Sequence, residues 1–185
     1  IVLCRTSHPG NIGSTARAIK TMGFTHLTLV NPKQFPHADA NALAAGAEDI
    51  LANATIVSAI EDALKDCHLI IGFTARQREL SQEHKNIREI AKGLKSESQS
   101  KKIALLFGNE TSGLSNDEIK HCQVLGYINS NANYSSLNLA QAVQIICYEI
   151  RMQLTEGNEI IQLSKENELV THEVQNGFYL HLEQL

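Results

Sequence analysis

The feature that most constrains the fold is a series of strand-length apolar runs separated by helical segments, with no hairpin turn between them. Residues 1–5, 26–30, 55–57, 69–73, 102–106 and 123–128 read as strands. Between them, Ile12, Ala16, Ile19 and Met22 share one face of a helix that stops at Gly23. Residues 38–47 form an alanine-rich helix, residues 58–65 another, and Lys85 to Lys95 fits a solvated helix face. Strand and helix in alternation predict an α/β fold: a mainly parallel sheet flanked by helices on both faces.

One strand opens into the stretch Phe107-Gly108-Asn109-Glu110-Thr111-Ser112-Gly113-Leu114-Ser115. Its two glycines let the backbone turn tightly and approach a ligand closely. Ser115 is an N-cap for a short helix with Asp117 and Glu118 in its first turn. Strand, glycine-bearing loop and helix is the unit at which an open α/β sheet binds ligands. It is not a triphosphate loop, because Leu114 and Ser115 stand where such a loop needs Lys and Ser or Thr, and Glu110 would repel the phosphates. There is no Gly-x-Gly-x-x-Gly, which argues against a Rossmann-type site.

A chain of 185 residues suffices for one buried domain and an extension. We expect a domain over residues 1–155, then a polar linker over 156–168 and a terminal helix with Val174, Phe178, Leu182 and Leu185 on one stripe. No apolar run reaches the roughly 18 residues of a membrane span, and no signal peptide is visible. The chain opens without Met, so residues are expected before Ile1. Cys4, Cys67, Cys122 and Cys147 are scattered among apolar residues and read as reduced core thiols of a cytosolic protein, not as metal ligands. A net charge of −4 argues mildly against a nucleic-acid partner. Arg76, Arg78, Lys85, Arg88, Lys92 and Lys95 nevertheless cluster.

Residues 135–154 read as a long helix capped by Ser135 and Ser136, with Leu139, Val143, Ile146, Ile150 and Leu154 as its core positions. Ile145 and Cys147 widen that apolar surface beyond one core face, as in a helix that also serves an interface.

Three blocks, in this order, resemble the SpoU-type RNA ribose methyltransferases of the SPOUT class. They are Asn11-Ile12-Gly13 with Arg17, the Phe107–Ser115 stretch, and Tyr134-Ser135-Ser136-Leu137-Asn138. The resemblance runs over residues 1–154. Gly72-Phe73-Thr74-Ala75-Arg76-Gln77-Arg78 is similar to a segment of one subgroup, which methylates cytidine or uridine ribose at position 32 of the tRNA anticodon loop. Family members usually have Pro after Ile128; this chain has Asn129. Members of that subgroup continue beyond the terminal helix, so a basic tail is expected to follow.

The resemblance implies a C-terminal trefoil knot, a homodimer, a tRNA partner and S-adenosylmethionine as cofactor, with no metal and no membrane. Carried over, the cofactor residues are Phe73, Thr74, Ala75, Gly108, Asn109, Ile128, Ser135, Ser136 and Leu137. Arg17, Asn11, Ser136, Glu110 and Asn138 are the catalytic set, and Arg17, Arg76 and Arg78 the RNA contacts. On its helix alone, Arg17 reads as a surface residue beside the buried stripe. An arginine stays protonated, so we expect Arg17 to clamp the phosphate and developing alkoxide and not to act as base. Asn11 would position Arg17 or the ribose, and Glu110 would order the knot backbone. The core blocks are shared with enzymes acting on other tRNA or rRNA riboses and are compatible with a binding module without turnover.

Overall fold

A computed structural model describes residues 1–75, 83–97, 101–155 and Phe178, His181 and Leu182, with side chains from 83 to 95 in the second segment. Residues Ile1–Thr155 form one compact unit and Glu156–Leu185 a second. In the second, Phe178, His181 and Leu182 are helical; Val174 and Leu185 lie outside the described residues.

Among its described residues the first unit has seven strands: β1 (Val2–Cys4), β2 (Thr28–Val30), β3 (Thr55–Val57), β4 (Leu69–Phe73), β5 (Glu83–Asn86), β6 (Ile103–Phe107) and β7 (Val124–Tyr127). Their order is β3-β2-β1-β6-β4-β7-β5, and every pairing is parallel. All carboxyl ends therefore share one edge of the sheet. Successive side chains alternate between two cores, as the pleat requires. Leu3, Leu29, Ile71, Phe73, Leu105 and Phe107 face one side; Val2, Cys4, Val30, Ile70, Ala104 and Leu106 face the other. Burial on both sides is why these strands read as continuous apolar runs.

Helices α1 (Pro9–Thr21), α2 (Ala38–Ala44), α3 (Glu48–Ala52), α5 (Ile87–Glu97) and α7 (Leu139–Leu154) cover the first side, and α4 (Ile60–Leu64) and α6 (Asn116–Ile119) the second. Helix α1 begins at Pro9, where the missing N–H costs nothing, so Asn11 lies in its first turn. It approaches α2 so closely that a Cβ on Gly13 would fall on the Ala40 carbonyl.

Several expectations are corrected. The helix expected over 38–47 ends at Ala44, because Ala45 (φ 42°) and Gly46 (φ 89°) turn the chain left-handed before α3. The helix expected over 58–65 shortens to α4. Strand β5 was not expected: Glu83-His84-Lys85-Asn86 has no apolar run, and among the described residues it sits at the sheet edge, paired with β7 alone. Ser135 and Ser136 do not cap α7. Asn138 does, its Oδ1 accepting from the N–H groups of Ala140 (2.9 Å) and Gln141 (3.4 Å). Within α7, Val143, Ile146, Cys147 and Ile150 are buried, but Leu154 is exposed, together with Tyr148 and Met152. The breadth at Cys147 is thus used inside the subunit.

Candidate active site

A cavity of about 200 Å³ opens at the carboxyl ends of β4, β6 and β7. Among the described residues it is walled by Phe73, Thr74 and Ala75 after β4; Phe107 to Gly113 after β6; Gly126, Tyr127 and Ile128 at the end of β7; Ser135, Ser136 and Leu137 leading into α7; and Leu139, Ala142 and Ile146 on α7 itself. Every residue carried over as cofactor-binding lines it. The rings of Phe73 and Phe107 stack beside it, centroids 5.2 Å apart. Gly126 makes room for that stack, since a Cβ there would meet the Phe73 ring. The Thr74 N–H donates to the Gly126 carbonyl at 3.0 Å and holds the first wall to the third.

Gly108 is required for a different reason than the sequence suggests. A Cβ on it would fall on the backbone of Gly113 and Leu114, not into ligand space. The loop closes on itself: the Gly113 N–H donates to the Asn109 carbonyl at 2.8 Å, and Asn109 Oδ1 accepts from the Thr111 N–H at 2.9 Å. Gly113 completes the turn at φ 67°. Asn109 Nδ2 then ties the loop to β1 through the Arg5 carbonyl (2.7 Å) and to Ser7 Oγ (3.1 Å).

Glu110 buckles this loop to the start of α1. Its Oε2 accepts from the Ser7 N–H (2.9 Å) and hydroxyl (2.8 Å), and its Oε1 from the His8 N–H (3.1 Å) and Asn11 Nδ2 (3.0 Å). Burial alone would raise its pKa, but the bonds from Asn11 and Ser7 outweigh that and hold it at about 2. A carboxylate so stabilised is a poor proton acceptor, and its geometry is that of an anchor. Asn11 continues the chain, its Oδ1 accepting from Asn138 Nδ2 at 2.9 Å. Residues of all three motif blocks, Asn11, Glu110 and Asn138, are thereby joined at the cavity rim.

The model of the SpoU rRNA Methylase family matches residues 1–148. The chain belongs to the SpoU rRNA Methylase family. It is 48% identical to the tRNA (cytidine/uridine-2'-O-)-methyltransferase TrmJ of Klebsiella pneumoniae, an alignment covering 100% of this chain and 77% of the relative. Among solved structures, a probable methylase family protein from Haemophilus influenzae superposes with a TM-score of 0.80 at 43% identity, covering 99% of this chain and 76% of that one. The crystal structure of TrmJ from Z. mobilis superposes with a TM-score of 0.77 at 31% identity, covering 81% and 66%.

In this SpoU chain Arg17 is exposed, lies off the cavity wall, and makes no hydrogen bond or ion pair among the described residues. Asn11 does not position it. They stand six positions apart on α1, about 9 Å along the axis, and the Asn11 amide is occupied by Glu110 and Asn138. Ser136 is exposed on the cavity rim. Arg76 and Arg78 lie outside the described residues. Among the described residues, no helix is long and apolar enough to cross a membrane and no group of His, Cys, Asp and Glu could hold a metal ion. Burial raises the thiols of Cys4, Cys122 and Cys147, the last two to about 12, as inert core thiols require.

Sequence reasoning missed Ser7 and His8 as anchors, Gly13 as a helix-crossing point, and the pairing of Arg5 with Glu118. Ser115-x-x-Glu118 is a capping-box signature and does form one. No sequence signal pairs Glu118 with a residue near the chain start.

Proposed function

We propose that this chain is an S-adenosylmethionine-dependent methyltransferase that modifies a ribose 2'-hydroxyl of tRNA, at cytidine or uridine 32 of the anticodon loop. The observation that carries the reading is the convergence of every expected cofactor residue on one cavity, beside the linked Asn11, Glu110 and Asn138. The cavity's composition fits the cofactor. Among the described residues its wall carries no Lys, Arg or His, which suits a sulfonium cation, and Phe107, Ile128 and Leu137 supply an apolar slot for adenine. The cofactor, when bound, supplies an electrophilic methyl group.

The chain's own residues have the remaining work of positioning. Loops Phe73–Ala75, Gly108–Glu110 and Ile128 with Ser135–Leu137 hold the cofactor. Glu110 and Asn138 fix the frame, and Ser136 on the rim meets the ribose. Arg17 clamps the adjacent phosphate and the developing alkoxide through its guanidinium fork, and the hydroxyl proton leaves to that phosphate or to water. Because Arg17 lies off its own cavity, we place the enzyme as a homodimer in which each cavity receives Arg17 of the partner subunit, with the exposed Tyr148, Met152 and Leu154 of α7 in the contact. Arg76 and Arg78 extend the RNA-binding surface. We read the crossing of β6, β4 and β7 and their loops as a C-terminal trefoil knot.

The deciding experiment is mass-spectrometric mapping of ribose methylation in tRNA from a deletion strain, with restoration by purified protein and S-adenosylmethionine. Loss of the methyl group at position 32 and its return in vitro are expected. Fully methylated tRNA in the deletion strain would refute the assignment.

A further inference from the structure

Strand β1 ends at Cys4, and Arg5 follows at φ 53°, a left-handed conformation uncommon for a residue with a side chain. Both its backbone and its side chain are held. Its N–H donates to the Val30 carbonyl at 2.8 Å, and its own carbonyl accepts from Asn109 Nδ2 at 2.7 Å. Its guanidinium grips Glu118 with a fork, Nε to Oε1 and Nη2 to Oε2, each 2.8 Å, and Nη2 also reaches the Gly113 carbonyl at 3.4 Å. Asn109 opens the tight turn on the cavity wall and Gly113 closes it, so the one residue that follows β1 touches both ends of that turn. Glu118 carries the grip onward: its Oε2 accepts from the Ser115 N–H at 2.6 Å in the capping box of α6.

We infer that Arg5 is a positioning residue for the cofactor cavity, setting the Asn109–Gly113 wall from outside without touching the ligand. It lies off the cavity lining, and the inference rests on the cofactor reading given above. The fork is what the role needs. Two parallel bonds fix the carboxylate plane, where an ammonium would hold one oxygen and leave it free to turn. The Glu118 side chain is only 9% exposed and Arg5 39%, so losing Arg5 leaves a mostly buried carboxylate without its counter-charge.

The test is calorimetric titration of S-adenosylhomocysteine into purified protein well below its unfolding midpoint, beside steady-state kinetics and thermal melts. Wild-type protein should bind. Arg5→Met should weaken binding by about 10-fold or more, the scale of a lost charge-assisted pair, and Arg5→Lys by an intermediate amount. KM for S-adenosylmethionine should rise with affinity loss, while kcat at saturating cofactor stays within about threefold of wild type, because the reacting groups are untouched. An Arg5→Met protein that melts lower yet binds with wild-type affinity would overturn the inference and leave Arg5 as a fold-stabilising residue. Should Arg5→Met not fold, Glu118→Gln replaces it: the shape and a capping oxygen remain while the charge goes. Weakened binding there supports the inference and unchanged affinity overturns it. Wild-type protein that binds no S-adenosylhomocysteine would instead overturn the cofactor reading.

Discussion

The side-chain amide of Asn138 donates to Asn11 Oδ1 at 2.9 Å, across 127 residues of chain. The bond joins the cap of α7 to the first turn of α1. Asn11 faces a carboxylate on its other side, so its amide orientation is dictated: nitrogen to Glu110, oxygen to Asn138. Turning the amide over would place oxygen against oxygen at Glu110.

This makes Asn138→Ala and Asn138→Asp separable. The alanine variant loses the α7 cap and should destabilise the protein by about 1 kcal/mol or more. The aspartate variant keeps the cap oxygen but presents only acceptors to Asn11 Oδ1. Its unfolding midpoint in urea should recover most of the alanine loss, while S-adenosylhomocysteine affinity should not recover. Equal recovery of both would detach Asn11 from the site.

The Glu110 carboxylate predicts an acid limb. Its folded pKa, lowered from 4.5 to about 2, means that it contributes stability present above about pH 4.5 and lost as pH falls toward 2. Glu118, also lowered, acts in the same direction. Urea unfolding measured between pH 2 and pH 6 should therefore show stability rising with pH, and Glu110→Gln should flatten part of that rise. Methyl transfer in the wild type should show no ionisation of Glu110 above pH 4.5, since the group is already charged.

Two glycine substitutions should move stability in opposite directions. Gly13→Ala puts a Cβ onto the Ala40 carbonyl and should cost about 1–3 kcal/mol through overpacking. Gly93→Ala, in α5 where the added Cβ would meet no atom of the described residues within 4 Å, should add about 0.5–1 kcal/mol from helix propensity. Chemical denaturation of both variants measures this; a neutral Gly13→Ala would mean that α1 can slide away from α2.

What the sequence disclosed follows from where the forces are local. The strand at 69–73 is legible because burial on both faces demands an uninterrupted apolar run. Strand β5 is not, because Glu83-His84-Lys85-Asn86 is held by backbone pairing to β7 and carries no such run. The alanine run at 38–47 favours helix throughout, and only the left-handed backbone at Ala45 and Gly46 divides it. The cavity lining is legible as motif blocks. Gly108 stands out in the sequence, but its steric partner, the backbone of Gly113 and Leu114, is a property of the folded turn. Arg5 and Glu118 meet across 113 residues with no periodicity or spacing to announce them.

The exposed position of Arg17, off the cavity of its own chain, leads to a complementation test of the proposed dimer. Arg17→Ala should leave S-adenosylhomocysteine affinity near wild type, while methyl transfer falls by about 100-fold or more, the scale of losing one transition-state donor. Gly108→Val should abolish cofactor binding, because its side chain displaces the Gly113–Leu114 backbone that walls the cavity. Each protein alone is then inactive, for a different reason. In a mixed dimer the Arg17→Ala subunit offers an intact cavity and the Gly108→Val subunit an intact Arg17. If Arg17 acts across the interface, that pairing restores one working site of the two, and an equimolar mixture after subunit exchange should regain about a quarter of wild-type activity. If Arg17 serves its own subunit, every cavity in the mixture lacks either its arginine or its cofactor, and no activity returns. Light scattering on the wild type separates a third case: a monomer in solution, with full activity at all protein concentrations, would remove the shared site altogether.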